Sequence, residues 1–158
     1  MIEVKDLRKS FDGRTVLHDV SATFRTGCTN LIIGQSGSGK TVLMKSLVGL
    51  LRPDSGSILF DGRDLLQMSS NEIRELRKEI GMLFQGSALF DSETVLGNVM
   101  FPLVMFTEQS QAEMRDRAMF CLERVNLKGA ENKYPSEISG GMQKRVAIAR
   151  AIALNPKY

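Results

Sequence analysis

Three chemically versatile residue types are scarce in this chain of 158 residues, which has no tryptophan, one histidine and two cysteines. Cys28 and Cys121 are too few for a disulfide framework and lack the spacing of a metal site, so a reducing compartment is expected. The single histidine, His18, lies where polar and apolar residues alternate, and we interpret it as a solvated strand residue. The scarcity argues against a disulfide scaffold and against a Cys/His zinc module.

Long apolar runs and a leader segment are also missing. The most apolar stretch, Val95–Phe106, is interrupted by glycine, asparagine and proline and is too short to cross a bilayer. Charged residues already occur among the first eight positions, which argues against a secretory signal there. These absences predict a cytoplasmic protein, one that can still dock on another component.

Neither sign of charge dominates the chain. Lys and Arg number 21 against 18 Asp and Glu, and the net charge of +3 is spread along the sequence. Such a small, scattered excess gives little reason to expect a nucleic-acid partner. Hydrophobic residues make up 42% and charged residues 25%, as in an ordinary globular domain with a real core.

The most informative stretch fits the phosphate-binding pattern G-x-x-x-x-G-K-[ST] at every fixed position. Its residues are Gly34, Gln35, Ser36, Gly37, Ser38, Gly39, Lys40 and Thr41. The apolar run Leu31–Ile33 predicts a buried strand before it, and periodic apolar residues from 41 to 51 predict a helix after it. An ordinary glycine-rich turn is the alternative, but the order of strand, loop, Lys-Thr and helix favours a nucleoside triphosphate site.

The chemistry of this loop follows from its residue types. Glycines let the backbone turn its N–H groups inward, and the helix N-terminus adds roughly half a positive charge at the same point. Lys40 can reach the β- and γ-phosphates, and the Thr41 hydroxyl can ligate Mg²⁺. A nucleoside triphosphate and Mg²⁺ are therefore the expected ligands, and the family resemblance given below implies that the nucleotide is ATP.

The remaining periodicity divides the chain into strand-rich and helical parts. Two strands are predicted within residues 1–24, with a turn at Asp12–Gly13, and a third over residues 57–60. A capping box at Ser69 opens a helix to about residue 78, and residues 80–84 predict a second buried strand that ends at Gln85. Three helices are predicted after Gln85. The first is capped by Thr94 and runs through residue 104, with a kink or an end at Pro102. The second begins at Ser110 and is stopped by Gly129, and the third spans residues 140–154.

These elements predict an α/β fold. It comprises a P-loop core with a parallel sheet, an antiparallel β subdomain and an all-helical insert. We expect residues 1–85 to form the β subdomain and core, residues 86–136 the helical subdomain, and residues 137–158 a final helix with its leading loop.

A second glycine-containing loop precedes that final helix. Ile138–Arg145 reads I-S-G-G-M-Q-K-R, with Ser139 as the predicted N-cap and Gly140 and Gly141 next to it. Small residues at a helix N-terminus again leave backbone N–H groups free for an anion. Two anion-binding helix ends in one chain indicate two molecules that assemble head to tail, each closing the other's nucleotide.

Taken together, these motifs resemble the nucleotide-binding domain of ABC transporters over all 158 residues. Gly34–Thr41 match the family's Walker A motif, Gln85 its Q-loop and Ile138–Met142 its signature motif, in which the family usually has Leu and Gln at the two ends. The resemblance implies that Phe11 stacks on adenine and Val16 packs beneath it. Plain strand-edge packing of Phe11 is the alternative.

The resemblance also assigns the remaining site residues. It implies that Gln85 reaches Mg²⁺ and the attacking water, unless it is only a surface glutamine at a strand end. Ser139, Gly140 and Gly141 are expected to contact the γ-phosphate bound by a second copy, so that Lys40, Gln85 and these three form the catalytic set. Thr41 and Gln85 are the expected metal ligands.

A finer resemblance concerns the ATPases of Mla-type (MCE-associated) phospholipid transporters. Its segments are Leu83–Gln85, Ala88–Ser92, Asn98–Val99, Phe101–Leu103, Tyr134–Glu137 and Gly141–Met142. It implies phospholipid transport between envelope membranes, and a location on the cytoplasmic face of the inner membrane. An integral membrane subunit would dock in a groove lined by residues 87–92 and 98–103, although some of these residues pack internally instead. An ABC transporter for another substrate, or a soluble ABC ATPase acting on ribosomes or DNA, is the alternative.

The family's catalytic carboxylates and its switch histidine have no counterpart among residues 1–158. The family has a carboxylate strand after the signature helix (the Walker B motif and a catalytic Glu) and then a switch histidine, and no acidic residue here can replace them. We therefore expect residues 1–158 to be the N-terminal part of a longer domain. Alone they would bind ATP·Mg weakly and not hydrolyse it, and Leu31 and Ile33 would be exposed.

Overall fold

The computed structural model describes residues 1–158, which divide into two compact units, Met1–Arg77 and Lys78–Tyr158. The first unit is built on an antiparallel sheet of four strands in the order β2-β1-β3-β4. They are β1 (Ile2–Phe11), β2 (Arg14–Phe24), β3 (Ser55–Phe60) and β4 (Arg63–Asp64). The three strands predicted here are confirmed. Asp12 and Gly13 join the first two with φ of 49° and 79°, as a two-residue type I′ hairpin requires.

Two helices complete the first unit. Helix α1 (Lys40–Leu47) buries Leu43 and Leu47, and helix α2 (Ser70–Lys78) buries Leu76. The predicted capping box of α2 is confirmed, because Ser69 N donates to Glu72 Oε2 at 2.8 Å. The prediction that α1 extends to residue 51 is wrong, because Gly49 has a φ of 67° and the chain leaves the helical region there.

Two predicted buried strands are absent from this structure. Neither residues 31–33 nor residues 80–84 belong to a strand, and the side chains of Leu31 and Ile33 are 81% and 80% exposed. The reason is that an apolar run becomes a strand only when a neighbouring segment accepts and donates ladder hydrogen bonds. Within residues 1–158 these two runs have no such neighbour. The expected exposure of Leu31 and Ile33 is confirmed, and the sheet that is present is antiparallel.

The second unit is helical and has its own core. It contains α3 (Val95–Phe106), α4 (Gln111–Arg124) and α5 (Gly140–Ala151), which begin at the predicted caps Thr94, Ser110 and Ser139. Their inward faces and three residues of the flanking segments form one cluster: Val95, Leu96, Val99, Leu103, Ala118, Cys121, Leu122, Leu127, Ile138, Val146, Ala149 and Ala153. No helix in residues 1–158 combines the length and apolar character needed to cross a bilayer.

Three helix ends differ from the prediction. Helix α3 passes through Pro102 and ends at Phe106, two residues after the predicted end at residue 104. Helix α4 ends at Arg124 and not near Gly129, because Asn126 already adopts a left-handed φ of 54°. Helix α5 ends at Ala151 and not at the predicted residue 154. Arg117 of α4 donates to the carbonyls of Ile152 and Ala153 at 3.0 and 2.9 Å, so these carbonyls are satisfied without another turn of helix.

Asn98 is a buried polar residue whose side chain holds the turn before helix α3. Its side chain is fully buried in α3, where Oδ1 accepts from Phe90 N at 2.8 Å and Nδ2 donates to Phe90 O at 3.1 Å. The same Nδ2 lies 3.2 Å from Glu93 O and 3.0 Å from Thr94 O. One amide therefore holds the turn that leads into α3.

Asn98→Ala is expected to lower the free energy of unfolding by about 2–4 kcal/mol, because a buried backbone group left without a partner costs about 1–3 kcal/mol. Urea unfolding of the protein measures the change. Asn132→Ala, at an exposed asparagine of the same unit, should change the free energy by less than about 0.5 kcal/mol. Equal effects of the two substitutions would contradict this account of Asn98.

Candidate functional site

The predicted phosphate-binding loop lies in the first unit, directly before α1. Gly39 is the residue preceding the helix, with φ 92°, and no side chain caps the N-terminus of α1. By contrast, side chains of Thr94, Ser110 and Ser139 accept from the first turns of α3, α4 and α5. The first backbone N–H groups of α1 thus have no side-chain acceptor and can donate to an anion.

The Lys40 ammonium is held over the loop by two of its carbonyls. Nζ donates to Gly34 O and to Gln35 O, each at 2.7 Å, and Ser38 N donates to Gln35 O at 3.2 Å. An ammonium has three N–H donors, so one is left. No carboxylate of the chain forms an ion pair with Lys40. Its positive charge is therefore available to an incoming phosphate.

The loop packs closely on strand β2. A Cβ added to Gly39 would lie 3.0 Å from Leu17 Cδ2, 3.1 Å from Val16 O and 3.2 Å from Val16 Cγ1. The structure thus brings Val16, a predicted site residue, against the phosphate-binding loop. At Gly34 an added Cβ would lie 2.7 Å from Ser38 Oγ, a contact that rotation of the serine side chain would relieve.

Gly39→Ala is expected to lower the free energy of unfolding by about 2–5 kcal/mol, from about 1–2 kcal/mol of left-handed strain and about 1–3 kcal/mol of crowding against β2. Gly37→Ala is the matched control, because Gly37 also has a positive φ, 78°, but an added Cβ there has no atom within 4 Å. The difference between the two thermal midpoints isolates the crowding. A Gly37→Ala variant as unstable as Gly39→Ala would contradict the close packing of the loop on β2.

Phe11, the predicted adenine-stacking residue, ends strand β1 beside the hairpin turn. Its side chain is 42% exposed, and Lys9 Nζ lies 5.4 Å from the ring centroid. Asp54 fixes Lys9 by accepting from its Nζ at 2.6 Å, and it also accepts from Ser10 N at 2.6 Å. The hydrogen bond from Lys9 is the main cause that lowers the pKa of Asp54, followed by that from Ser10 N. An exposed ring beside a fixed cation has a face available for a base.

Thr41 is the metal-ligand candidate in the first unit. It lies in the first turn of α1, it is exposed, and its hydroxyl has no hydrogen-bond partner within the chain. No group of three His, Cys, Asp or Glu side chains is placed to hold a metal ion. A hydroxyl next to a phosphate-binding loop fits the donor set of Mg²⁺, which takes only one or two protein ligands beside substrate phosphates and water.

Gln85 lies in the second unit, exposed and outside any strand. The three residues after it all have positive φ: Gly86 at 81°, Ser87 at 68° and Ala88 at 47°. Arg150 of α5 donates Nη2 to Ser87 O and Nη1 to Ala88 O, both at 2.8 Å. Sequence reasoning missed Arg150. The one sequence feature that could have marked Arg150 is a positive charge among apolar positions of the same predicted helix, Ile148, Ala149 and Ile152.

The predicted signature loop lies at the start of α5, also in the second unit. Ser139 Oγ accepts from Met142 N at 3.3 Å, and Ile138 beside it is buried at 8% exposure. A Cβ added to Gly140 would have no atom within 4 Å, and one added to Gly141 would meet only Ser139 Oγ, at 4.0 Å. The chain's own packing does not require these glycines, although glycine in a helix costs about 1 kcal/mol against alanine. Close approach of another molecule would require them.

Apolar side chains are exposed beside this helix bundle. The ring centroids of Phe90 and Phe101 are 4.6 Å apart, and the two side chains are 41% and 42% exposed. Val104 and Met105, at 57% and 49%, continue the surface along α3. Of this apolar α3 surface, only Phe90 and Phe101 belong to the groove predicted from residues 87–92 and 98–103. The prediction is wrong for four of its residues, which are buried: Ser87, Asn98, Val99 and Leu103.

Comparison with known proteins identifies the class. The family described as ABC transporter matches residues 17–158, and the chain belongs to that family. It is 47% identical over 156 residues to the probable ribonucleotide transport ATP-binding protein mkl of Mycobacterium leprae, covering 99% of this chain and 45% of that protein. It is 43% identical over 156 residues to the intermembrane phospholipid transport system ATP-binding protein MlaF of Haemophilus influenzae, covering 99% and 59%.

A solved structure agrees with the family assignment. It is a dimeric structure of a post-hydrolysis state of the ATP-binding cassette MJ0796 bound to ADP and Pi, with a TM-score of 0.90 and 34% identity. The match covers 99% of this chain and 71% of that one. The predicted fold class is thereby confirmed. The chain spans about half the length of the curated relatives it matches, 45% of mkl and 59% of MlaF.

Proposed function

We propose that the protein is the ATP-binding subunit of an ABC transporter and that Gly34–Thr41 hold the phosphates of ATP. The carrying observation is Lys40, whose ammonium lies 2.7 Å from two loop carbonyls with no ion-pair partner, at an uncapped helix N-terminus. Thr41 would ligate Mg²⁺, and Phe11 and Val16 would hold the base. Mg²⁺ would neutralise charge that develops on the phosphates during phosphoryl transfer.

We propose further that the complete site is formed by two copies. Lys40 and Thr41 of one copy and Ser139, Gly140 and Gly141 of the other would enclose each ATP. The open space around both glycines and the exposure of Ser139 support this arrangement, since a phosphate could approach the helix N-terminus closely. The dimeric state of the MJ0796 cassette is in line with it.

Hydrolysis would depend on electrostatic stabilisation and on the position of the attacking water. Gln85 would orient that water and contact Mg²⁺. We place the catalytic carboxylates and the switch histidine in the part of the whole protein that corresponds to the uncovered length of the relatives. Residues 1–85, 86–136 and 137–158 would serve as the ATP-binding core, the membrane-subunit contact and the signature segment, respectively.

The transported substrate we propose is phospholipid, moved between envelope membranes. The support is the similarity to MlaF, a phospholipid transport protein by its name, together with the apolar α3 surface, which suits a short amphipathic helix of a membrane subunit. The protein would then work at the cytoplasmic face of the inner membrane. The relative mkl is named for ribonucleotide transport, so another substrate is the second candidate.

The test is to purify the full-length protein from membranes with its bound partner and measure ATP hydrolysis in nanodiscs. Phospholipid transport predicts co-purification with an integral membrane protein and a hydrolysis rate that changes with phospholipid composition. Stimulation by ribonucleotides and not by lipid would refute the lipid assignment. Co-purification with ribosomes or DNA would refute the transporter itself.

A further inference from the structure

The segment that follows Gln85 has an unusual backbone conformation. Ser87 and Ala88 follow Gly86 in the left-handed region, with φ of 68° and 47°. Residues with a Cβ other than Asn, Asp and His seldom adopt this region, so a run of such residues is stable only where surrounding contacts hold it. Ser87 is buried at 7% exposure, and its N–H donates to Phe84 O at 3.2 Å. The strain is therefore concentrated in the residues that fix the direction of Gln85.

Arg150 supplies contacts that hold this segment. Its two terminal nitrogens donate to Ser87 O and Ala88 O at 2.8 Å, and its Cζ lies 5.8 Å from the Phe90 ring centroid. The planar guanidinium can bridge two successive carbonyls, whereas a lysine ammonium is a single point. Arg150 is half buried, which lowers its pKa, and no carboxylate pairs with it. The interactions of its charged group are thus two hydrogen bonds to backbone carbonyls and one cation–π contact with Phe90.

Arg150 also lies on the helix that carries the signature loop. It is near the end of α5, the helix that begins at Ser139 and Gly140. One rigid helix therefore presents the proposed contact for a second copy's ATP at its N-terminus and holds the segment after Gln85 near its other end.

We propose that Arg150 is a positioning residue, which holds Ser87 and Ala88 so that Gln85 is oriented for hydrolysis. The inference rests on the proposed function and extends it to a residue that does not itself touch ATP. A shift of α5 when the second copy engages would pass through Arg150 to the backbone next to Gln85. Loss of the two-pronged contact would then reduce the rate of hydrolysis and leave the affinity for ATP in place.

The test is Arg150→Lys in the full-length protein, which keeps the charge and removes the fork. We expect kcat for ATP hydrolysis to fall about 10- to 100-fold, since misorientation of a catalytic group reduces the rate by such factors, while the KM for ATP changes less than about threefold. Backbone amides of residues 85–88 should exchange with deuterium faster than in the unsubstituted protein.

The matched control is Arg145→Lys. Arg145 is on the same helix and also donates to two loop carbonyls, Val125 O at 3.4 Å and Asn126 O at 3.0 Å, but that loop carries no proposed site residue. Its kcat and the exchange of residues 85–88 should stay near the original values. An equal fall in kcat for both variants, a change in KM alone, or unchanged exchange at 85–88 would overturn the inference. If the unsubstituted protein binds no ATP, the proposed function has failed instead.

Discussion

Lys40→Ala is expected to abolish measurable ATP binding by the full-length protein, with a loss of affinity of at least about 100-fold. A hydrogen bond to a charged group contributes about 1.5–3 kcal/mol, and Lys40 can donate to two phosphates once it releases one of the two loop carbonyls, so the expected loss exceeds two powers of ten. The ammonium is already poised, because Gly34 O and Gln35 O hold it 2.7 Å away within the loop. Titration with a fluorescent ATP analogue measures the change.

The control for this substitution is Lys45→Ala. Lys45 is an exposed lysine in the last turn of the same helix, α1, and its removal changes the net charge by the same amount. Its affinity for ATP should stay within about threefold of the original, since an exposed charge far from the phosphates contributes little. Retained binding by Lys40→Ala, or equal loss in the two variants, would show that the loop is not the phosphate site.

Ser139→Arg is expected to have a different effect from Lys40→Ala: ATP still binds, and the rate of hydrolysis falls at least about 100-fold. Removal of one electrostatic contact to the transition state reduces kcat by about 10²–10³-fold, and an arginine side chain also blocks approach of the second copy. Binding is expected to be spared because, in the proposed dimer, Ser139 serves the partner's nucleotide and Gly34–Thr41 of the same copy are unchanged. Equilibrium binding and steady-state hydrolysis on the same sample separate the two effects.

Ser110→Arg is the control for the structural part of this change. Ser110 also caps a helix of the second unit, α4, so both substitutions remove a serine N-cap worth about 1 kcal/mol and introduce the same side chain. Ser110→Arg should leave hydrolysis within about threefold of the original if only the cap is at issue. Should Ser139→Arg lose ATP binding as fully as Lys40→Ala does, the head-to-tail arrangement is wrong.

Features set by a few neighbouring residues could be predicted from the sequence. The Asp12–Gly13 turn and the caps at Thr94, Ser110 and Ser139 follow from local hydrogen bonds and backbone preferences, and all four are confirmed. The predicted phosphate-binding loop also rests on a local pattern, because glycines, lysine and threonine at fixed spacing have few other uses, and its binding of phosphate stays a prediction.

Features that depend on distant segments could not be predicted in the same way. An apolar run such as 80–84 has the composition of a strand, but composition does not supply the neighbour that a strand requires. The contact from Arg150 to Ala88 joins residues 62 positions apart, and nothing local to either residue marks it. The predicted end of α4 is wrong for a local reason. Two residues near this end, Asn126 and Gly129, both have a positive φ, and the helix ends before Asn126, the first of them.

The most direct test of the composite site is to mix the two inactive full-length variants. In a dimer of one Lys40→Ala copy and one Ser139→Arg copy, one site carries both substitutions and the other carries neither. Neither variant alone should form a dimer on addition of ATP, whereas an equimolar mixture should form dimers that contain one copy of each and regain hydrolysis, to about half of the original rate, because one of the two sites in each dimer is intact. A mixture that stays monomeric and inactive with ATP would contradict a site shared between two copies.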